Sequence, residues 1–155
     1  KTLVTPELRS AWQSEIGWVP QLPQLAPGSI RRQFQLVKSN ISDAEILNYL
    51  ASVHLWAAEL PQGLDSIIGG LAEGSNSASG GQVRKVALAR ALASKPRVLV
   101  CDEPMADLDA ESADRVLSAL RTCAQSGSIV ICITHDLSII GPTDRVATFR
   151  TASSK

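Results

Sequence analysis

With 155 residues, 45% of them hydrophobic and 4% aromatic, the chain has material for one globular domain or part of one. Its 15 basic and 15 acidic residues cancel, which removes the electrostatic case for a nucleic-acid partner or an anionic lipid surface. No apolar run reaches transmembrane length and no signal peptide is expected. Cys101, Cys123 and Cys132, far apart in apolar surroundings, point to a reducing compartment and no cysteine metal site. The chain opens on Lys1 and contains one methionine, Met105, so it is expected to be a piece of something longer.

In chain order, a helical turn is expected through Glu7–Trp12, then a short strand within Glu15–Gln21 broken by Pro20. Pro20, Pro23, Pro27 and Gly28 make the stretch after Gln21 a defined, hinge-like loop. Gly28-Ser29 should cap a short helix carrying Ile30, Phe34 and Leu36. Ser42-Asp43-Ala44-Glu45 reads as a capping box, leading Ile46, Leu47, Leu50 and Val53 along one helical face. His54 at the end of that face is expected to be a solvated cap without a role. Leu60-Pro61-Gln62-Gly63-Leu64-Asp65 ends these helices, and Ile67–Ala78 is a glycine- and serine-rich loop without periodicity.

The stretch Ala78-Ser79-Gly80-Gly81-Gln82 feeds a helix in which Val83, Val86, Ala87 and Ala91 recur at helical spacing, before Pro96 closes the segment. Ser79 and Gln82 fit a second capping box. The intervening glycines leave backbone amides open to close approach, and a helix start of that kind attracts anions. Val98–Cys101 is an apolar strand ending in Asp102-Glu103-Pro104. Asp109 should N-cap the next helix, with Glu111 in its first turn. Its buried stripe is expected to be Val116, Leu117, Leu120 and Cys123 or Ala124, and Gly127 should end it. A second apolar strand runs from Ile129 to Thr134 into His135-Asp136. Arg145–Phe149 is expected to be an edge strand, and the last residues a frayed tail.

Strand 98–101, helix 110–124 and strand 129–133 therefore read as a βαβ unit, with parallel strands buried on both faces and a right-handed crossover. The carboxyl ends of both strands then lie on one edge, where open α/β sheets bind ligands. Asp102, Glu103 and His135 should converge there. Such a cluster suits phosphoryl transfer to water: Asp102 for magnesium, Glu103 to orient or polarise water, His135 to meet developing negative charge.

The 78–92 stretch followed by Val98–Pro104 closely resembles the signature motif and Walker B motif of ATP-binding cassette (ABC) proteins. Gln21–Ile30 resembles the Q-loop of ABC exporters, Pro61-x-Gly63-x-Asp65 a turn in their helical subdomain, and Met105–Asp109 their D-loop. The resemblance implies an α/β fold: a partial P-loop NTPase-like ABC domain with a parallel sheet core. On this reading 1–22 and 92–155 form the α/β core and 23–91 the helical subdomain. It implies ATP and Mg2+ as the bound species. Asp102 and Gln21 become the metal residues, and Glu103, His135 and Gln21 the catalytic ones. Ser79, Gly80, Gly81, Gln82 and Asp109 become nucleotide-binding residues that act on ATP held by a second nucleotide-binding domain, in a homo- or heterodimer. The loop after Gln21 would receive the coupling helix of a transmembrane domain, expected in the same polypeptide, at the cytoplasmic face of the inner membrane. Powering export is the implied function. The alternative is a non-enzymatic or soluble remnant that pairs with a complete cassette. The wording around Trp18–Gln21 and Leu60–Asp65 is reminiscent of bacterial thiol exporters needed for cytochrome bd assembly.

The pattern departs from the family in several places. No Gly-x-x-x-x-Gly-Lys-Ser/Thr occurs, since Lys38, Lys85 and Lys95 all lack the preceding glycine. Ala78 replaces the usual leucine of the signature, and Ala106-Asp107 the usual Ser-Ala of the D-loop. Glu73 stands where exporters place the X-loop glutamate, although the spacing from Asp65 is longer than usual.

Overall fold

The computed structural model describes residues 6–68 and 79–149, with the backbone alone for 6–10. Helix α1 (Pro6–Glu15) begins at a proline, whose missing amide is harmless in a first turn, and extends beyond the single turn expected. It runs into β1 (Ile16–Val19). With β4 (Val98–Asp102) and β5 (Ile129–Ile133), β1 forms a parallel sheet in the order β1-β4-β5. Val19 pairs with Cys101 and Asp102 with Ile133, so all three strands finish at one edge. Gly17 allows β1 to lie close: a Cβ there would meet Leu99 Cδ1 at 3.0 Å and Pro96 Cγ at 3.1 Å.

One sheet face, carrying Val19, Leu99 and Cys101, is sealed into a core with α4 (Gly80–Ala93) and α5 (Ala110–Gln125). The opposite face carries Ile16, Trp18, Ile129, Ile131 and Ile133, exposed by 43%, 52%, 62%, 46% and 48%. The expected burial of both strands on both faces is therefore wrong. The helices that pack on the sheet all share one core, and nothing among the described residues covers the other side. The expected strand 145–149 is also absent. Val146 and Phe149 lie exposed, without a neighbouring strand to pair with among the described residues.

The helical portion starts with β2 (Gly28–Ser29), paired antiparallel with β3 (Ile67–Ile68), a ladder too short for sequence periodicity to reveal. Ser29 caps α2 (Ile30–Gln35), its hydroxyl accepting from the Arg32 amide at 3.2 Å. Both halves of the Ser42–Glu45 capping box form at the head of α3 (Asp43–Ser52). Ile46, Leu50 and Val53 are fully buried, at spacings of four and three, whereas Leu47 stands one position off that face and is exposed. Leu36 is likewise exposed, because it follows the last turn of α2. Burying side chains such as Phe34, Ile46 and Leu50 contributes roughly 1.5–3 kcal/mol each. α4 is buried around most of its circumference from Val86 onward and packs on α2, α3 and β1, which places it between the helical portion and the sheet.

The α5 stripe is Ser112, Val116 and Leu120, with Leu117 and Cys123 half-buried and Ala124 exposed. Gly127, at φ +101°, turns the chain into β5 in a conformation that favours glycine. No described helix is long and apolar enough to cross a membrane.

Candidate functional site

Asp102 is the last residue of β4, and Glu103 follows it at φ +47°, in the left-handed region. Such a conformation costs on the order of 1–3 kcal/mol for a residue other than glycine. The turn is held by the Glu103 amide, which donates to the Ile133 carbonyl at the end of β5 (2.9 Å). It brings the carboxylate to the residues just after β5. Oε1 accepts from the His135 ring at Nδ1 (2.6 Å) and from the His135 amide (3.1 Å), and Oε2 accepts from the Thr134 hydroxyl (3.2 Å). Burial pushes the carboxyl pKa up, but the bonds from His135 and Thr134 outweigh it and hold Glu103 below its ordinary value. The same bond raises His135 above its ordinary value. An ionised carboxylate can only accept, so Nδ1 carries the proton and Nε2 faces outward.

Gln21 lies two residues beyond β1, at the same edge of the sheet, with an exposed side chain. Its carbonyl accepts from Arg84 Nη2 at 3.0 Å. The Asp102 carboxylate makes no side-chain hydrogen bond among the described residues, and no group of three or more His, Cys, Asp or Glu side chains forms a metal cage there. Two oxygen donors at one strand edge, without a cage, fit a magnesium ion that takes its other ligands from phosphates and water.

At the head of α4 the Ser79 hydroxyl accepts from the Gln82 amide (3.2 Å), and the Gln82 side chain accepts from the Ser79 amide (2.9 Å). This capping box leaves the first helical amides, those of Gly80 and Gly81, without intrahelical partners. Among the described residues, a Cβ at Gly80 would meet nothing within 4 Å, and one at Gly81 only the Ser79 hydroxyl at 3.9 Å. Neither glycine is required by its own surroundings among the described residues, and no side chain of theirs fills the space in front of them.

A sequence model of the ABC transporter family matches residues 2–106. The chain belongs to that family. It is 37% identical over 141 residues to the ATP-dependent permease MDL1 of Candida albicans, covering 89% of this chain and 20% of that protein. It is 35% identical over 138 residues to the glutathione/L-cysteine transport system ATP-binding/permease protein CydD of Escherichia coli (strain K12), covering 86% of this chain and 22% of that protein. Among solved structures, a bacterial Atm1-family ABC exporter with ATP bound superposes with a TM-score of 0.73 at 29% identity, over 88% of this chain and 23% of that one. The chain thus spans about a fifth of the length of these ABC relatives.

Of the residues singled out by the ABC resemblance, Asp102, Glu103, His135 and Gln21 share the carboxyl edge of the sheet, and Ser79–Gln82 form the head of α4. Asp109 caps α5. Its Oδ1 accepts from the Ser112 amide (2.9 Å) and its Oδ2 from the Ser112 hydroxyl (2.6 Å), bonds that lower its pKa to about 2. Glu73 and Ala78 lie outside the described residues.

His54 is not the roleless solvated cap expected. Half-buried at φ +56°, it points Nδ1 at the Ser112 hydroxyl (3.1 Å), while Lys85 Nζ bonds both that hydroxyl and the His54 carbonyl (2.8 Å each). The hydroxyl gives its single proton to Asp109, so His54 Nδ1 and Lys85 both donate to it. Sequence reasoning also passed over Arg84. One signal was available: Arg84 and Lys85 are adjacent cations near the positive end of a helix dipole, where each needs a partner.

Proposed function

We propose that this chain forms part of the ATP-hydrolysing nucleotide-binding domain of an ABC exporter, working at the cytoplasmic face of the membrane. The observation that carries the reading is the Glu103–His135 contact, 2.6 Å long, immediately after Asp102 at the carboxyl ends of β4 and β5. In this role Asp102 and Gln21 would hold a magnesium ion, which when bound offsets negative charge on phosphate oxygens. Glu103, kept ionised, accepts hydrogen bonds from an attacking water and orients it. His135, when protonated at both ring nitrogens as its contact with Glu103 favours, donates Nδ1–H to Glu103 and Nε2–H to a phosphate oxygen as charge develops. The open amides of Gly80 and Gly81 and the Ser79 cap suit the terminal phosphate of ATP held by a second nucleotide-binding domain. Asp109, its carboxylate occupied by the α5 cap, would act by setting the course of the 105–109 loop.

A core of 1–22 and 92–155, a helical subdomain of 23–91 and a transmembrane domain in the same polypeptide belong to this proposal. The relatives named above, a permease and a transport-system protein among them, support it. The test is magnesium-dependent ATP hydrolysis by the protein containing this chain, compared with Glu103→Gln. Hydrolysis that is absent from the parent, or unaffected by the substitution, would refute the reading.

A further inference from the structure

Arg84 sits in the second turn of α4 with its side chain only 9% exposed. A guanidinium withdrawn from water is expensive unless it is bonded, and an apolar side chain of similar volume would fill the same space without that penalty. Its partners lie on two loops separated in sequence. Nη2 donates to the Gln21 carbonyl at 3.0 Å, and Nη1 donates to the Ala106 carbonyl. Nη1 also stands 3.5 Å from Asp107 Oδ2, but Asp107 is 87% exposed, so that ion pair is screened and loose. Nε is buried and unpartnered among the described residues. The firm contacts are therefore the two backbone carbonyls, which fix where the loops run. The next residue, Lys85, anchors the far end of the same 106–112 segment through Ser112.

We propose that Arg84 is a positioning residue: it clamps the Gln21 loop and the 105–109 loop to α4, whose head carries Ser79–Gly81, so that the three parts of the site move as one body. Asp107, one of the departures from the family's D-loop, is the carboxylate that faces it. The inference rests on the proposed role of Gln21 and deepens it.

The test uses the full-length protein with Arg84→Met, which keeps the packing, and Arg84→Lys, which keeps the charge but lacks the planar fork. Hydrogen exchange in peptides covering 20–23 and 104–109 should rise together in both variants, while the interior of α3 stays protected. The maximal ATPase rate should fall about 10- to 100-fold, as misplacement of a reacting group does, with KM for ATP unchanged within about twofold. Unchanged exchange in either loop, or exchange rising uniformly across the core, would overturn the proposal, and the Lys variant decides if the Met variant does not fold. A parent protein that hydrolyses no ATP would refute the proposed function instead, and the exchange result would still decide whether Arg84 clamps the loops.

Discussion

Replacing Glu103 with glutamine keeps the size and shape of the side chain but removes its charge and its ability to take a proton. Three bonds converge on this carboxylate, from the Thr134 hydroxyl, the His135 amide and the His135 ring. An amide oxygen still accepts from the His135 amide, but the NH2 end cannot accept from Thr134, whose hydroxyl must rotate. The backbone at φ +47° is no less available to glutamine, so the fold should survive. A positioned general base contributes typically 10²–10⁴-fold, which is about 2.7–5.4 kcal/mol of barrier. The steady-state ATPase rate of the full-length variant should fall within that range while its affinity for ATP stays within a few-fold of the parent. A turnover within about tenfold of the parent would show that Glu103 is a structural carboxylate and that the reaction is organised elsewhere.

Four further outcomes follow. An NMR titration should place His135 above its ordinary value of 6.5 and return it toward that value in Glu103→Gln, since Glu103 is the first cause of the shift. The raised histidine stabilises fully below 6.5 and loses its contribution as pH climbs through its folded value. Glu103, lowered from 4.5, contributes above that value and loses its share as pH falls through its folded one, so stability from the pair should peak between the two and decline on either side. Gly81→Asp should abolish ATP-driven pairing of domains, seen by size-exclusion chromatography, yet raise stability by roughly 0.3–1 kcal/mol, because an acid there favours the helix dipole and, among the described residues, its Cβ meets nothing nearer than 3.9 Å. Residues 1–155 alone should show no micromolar binding of magnesium-ATP in calorimetry: without a phosphate-gripping lysine loop, at least three charge-assisted bonds of about 1.5 kcal/mol are missing, more than about a thousandfold in affinity.

Local signals were the legible ones. Ser42 with Glu45, Ser79 with Gln82, and Asp109 each announced a helix start that the structure contains, because a cap is satisfied within three residues of chain. The βαβ unit was readable for a related reason: two apolar runs around one amphipathic helix admit few arrangements. What escaped was set by distance. Arg84 meets Gln21 across 63 residues and His54 meets Ser112 across 58, and no periodicity encodes such partners. The open face of β5 was misread because an unbroken apolar run says that a strand can be covered on both sides, not that it is.

That open face bears on how the molecule can be observed. Trp18 sits on it beside Val100 of β4, half exposed, while Trp12 belongs to α1 and Trp56 follows α3. An indole in water emits at longer wavelength than one enclosed by aliphatic side chains. With Trp12 and Trp56 changed to phenylalanine, the tryptophan fluorescence of residues 1–155 would come from the sheet alone. Its colour would then register, in real time and without a label, whether anything has come to rest across Ile129, Ile131 and Ile133.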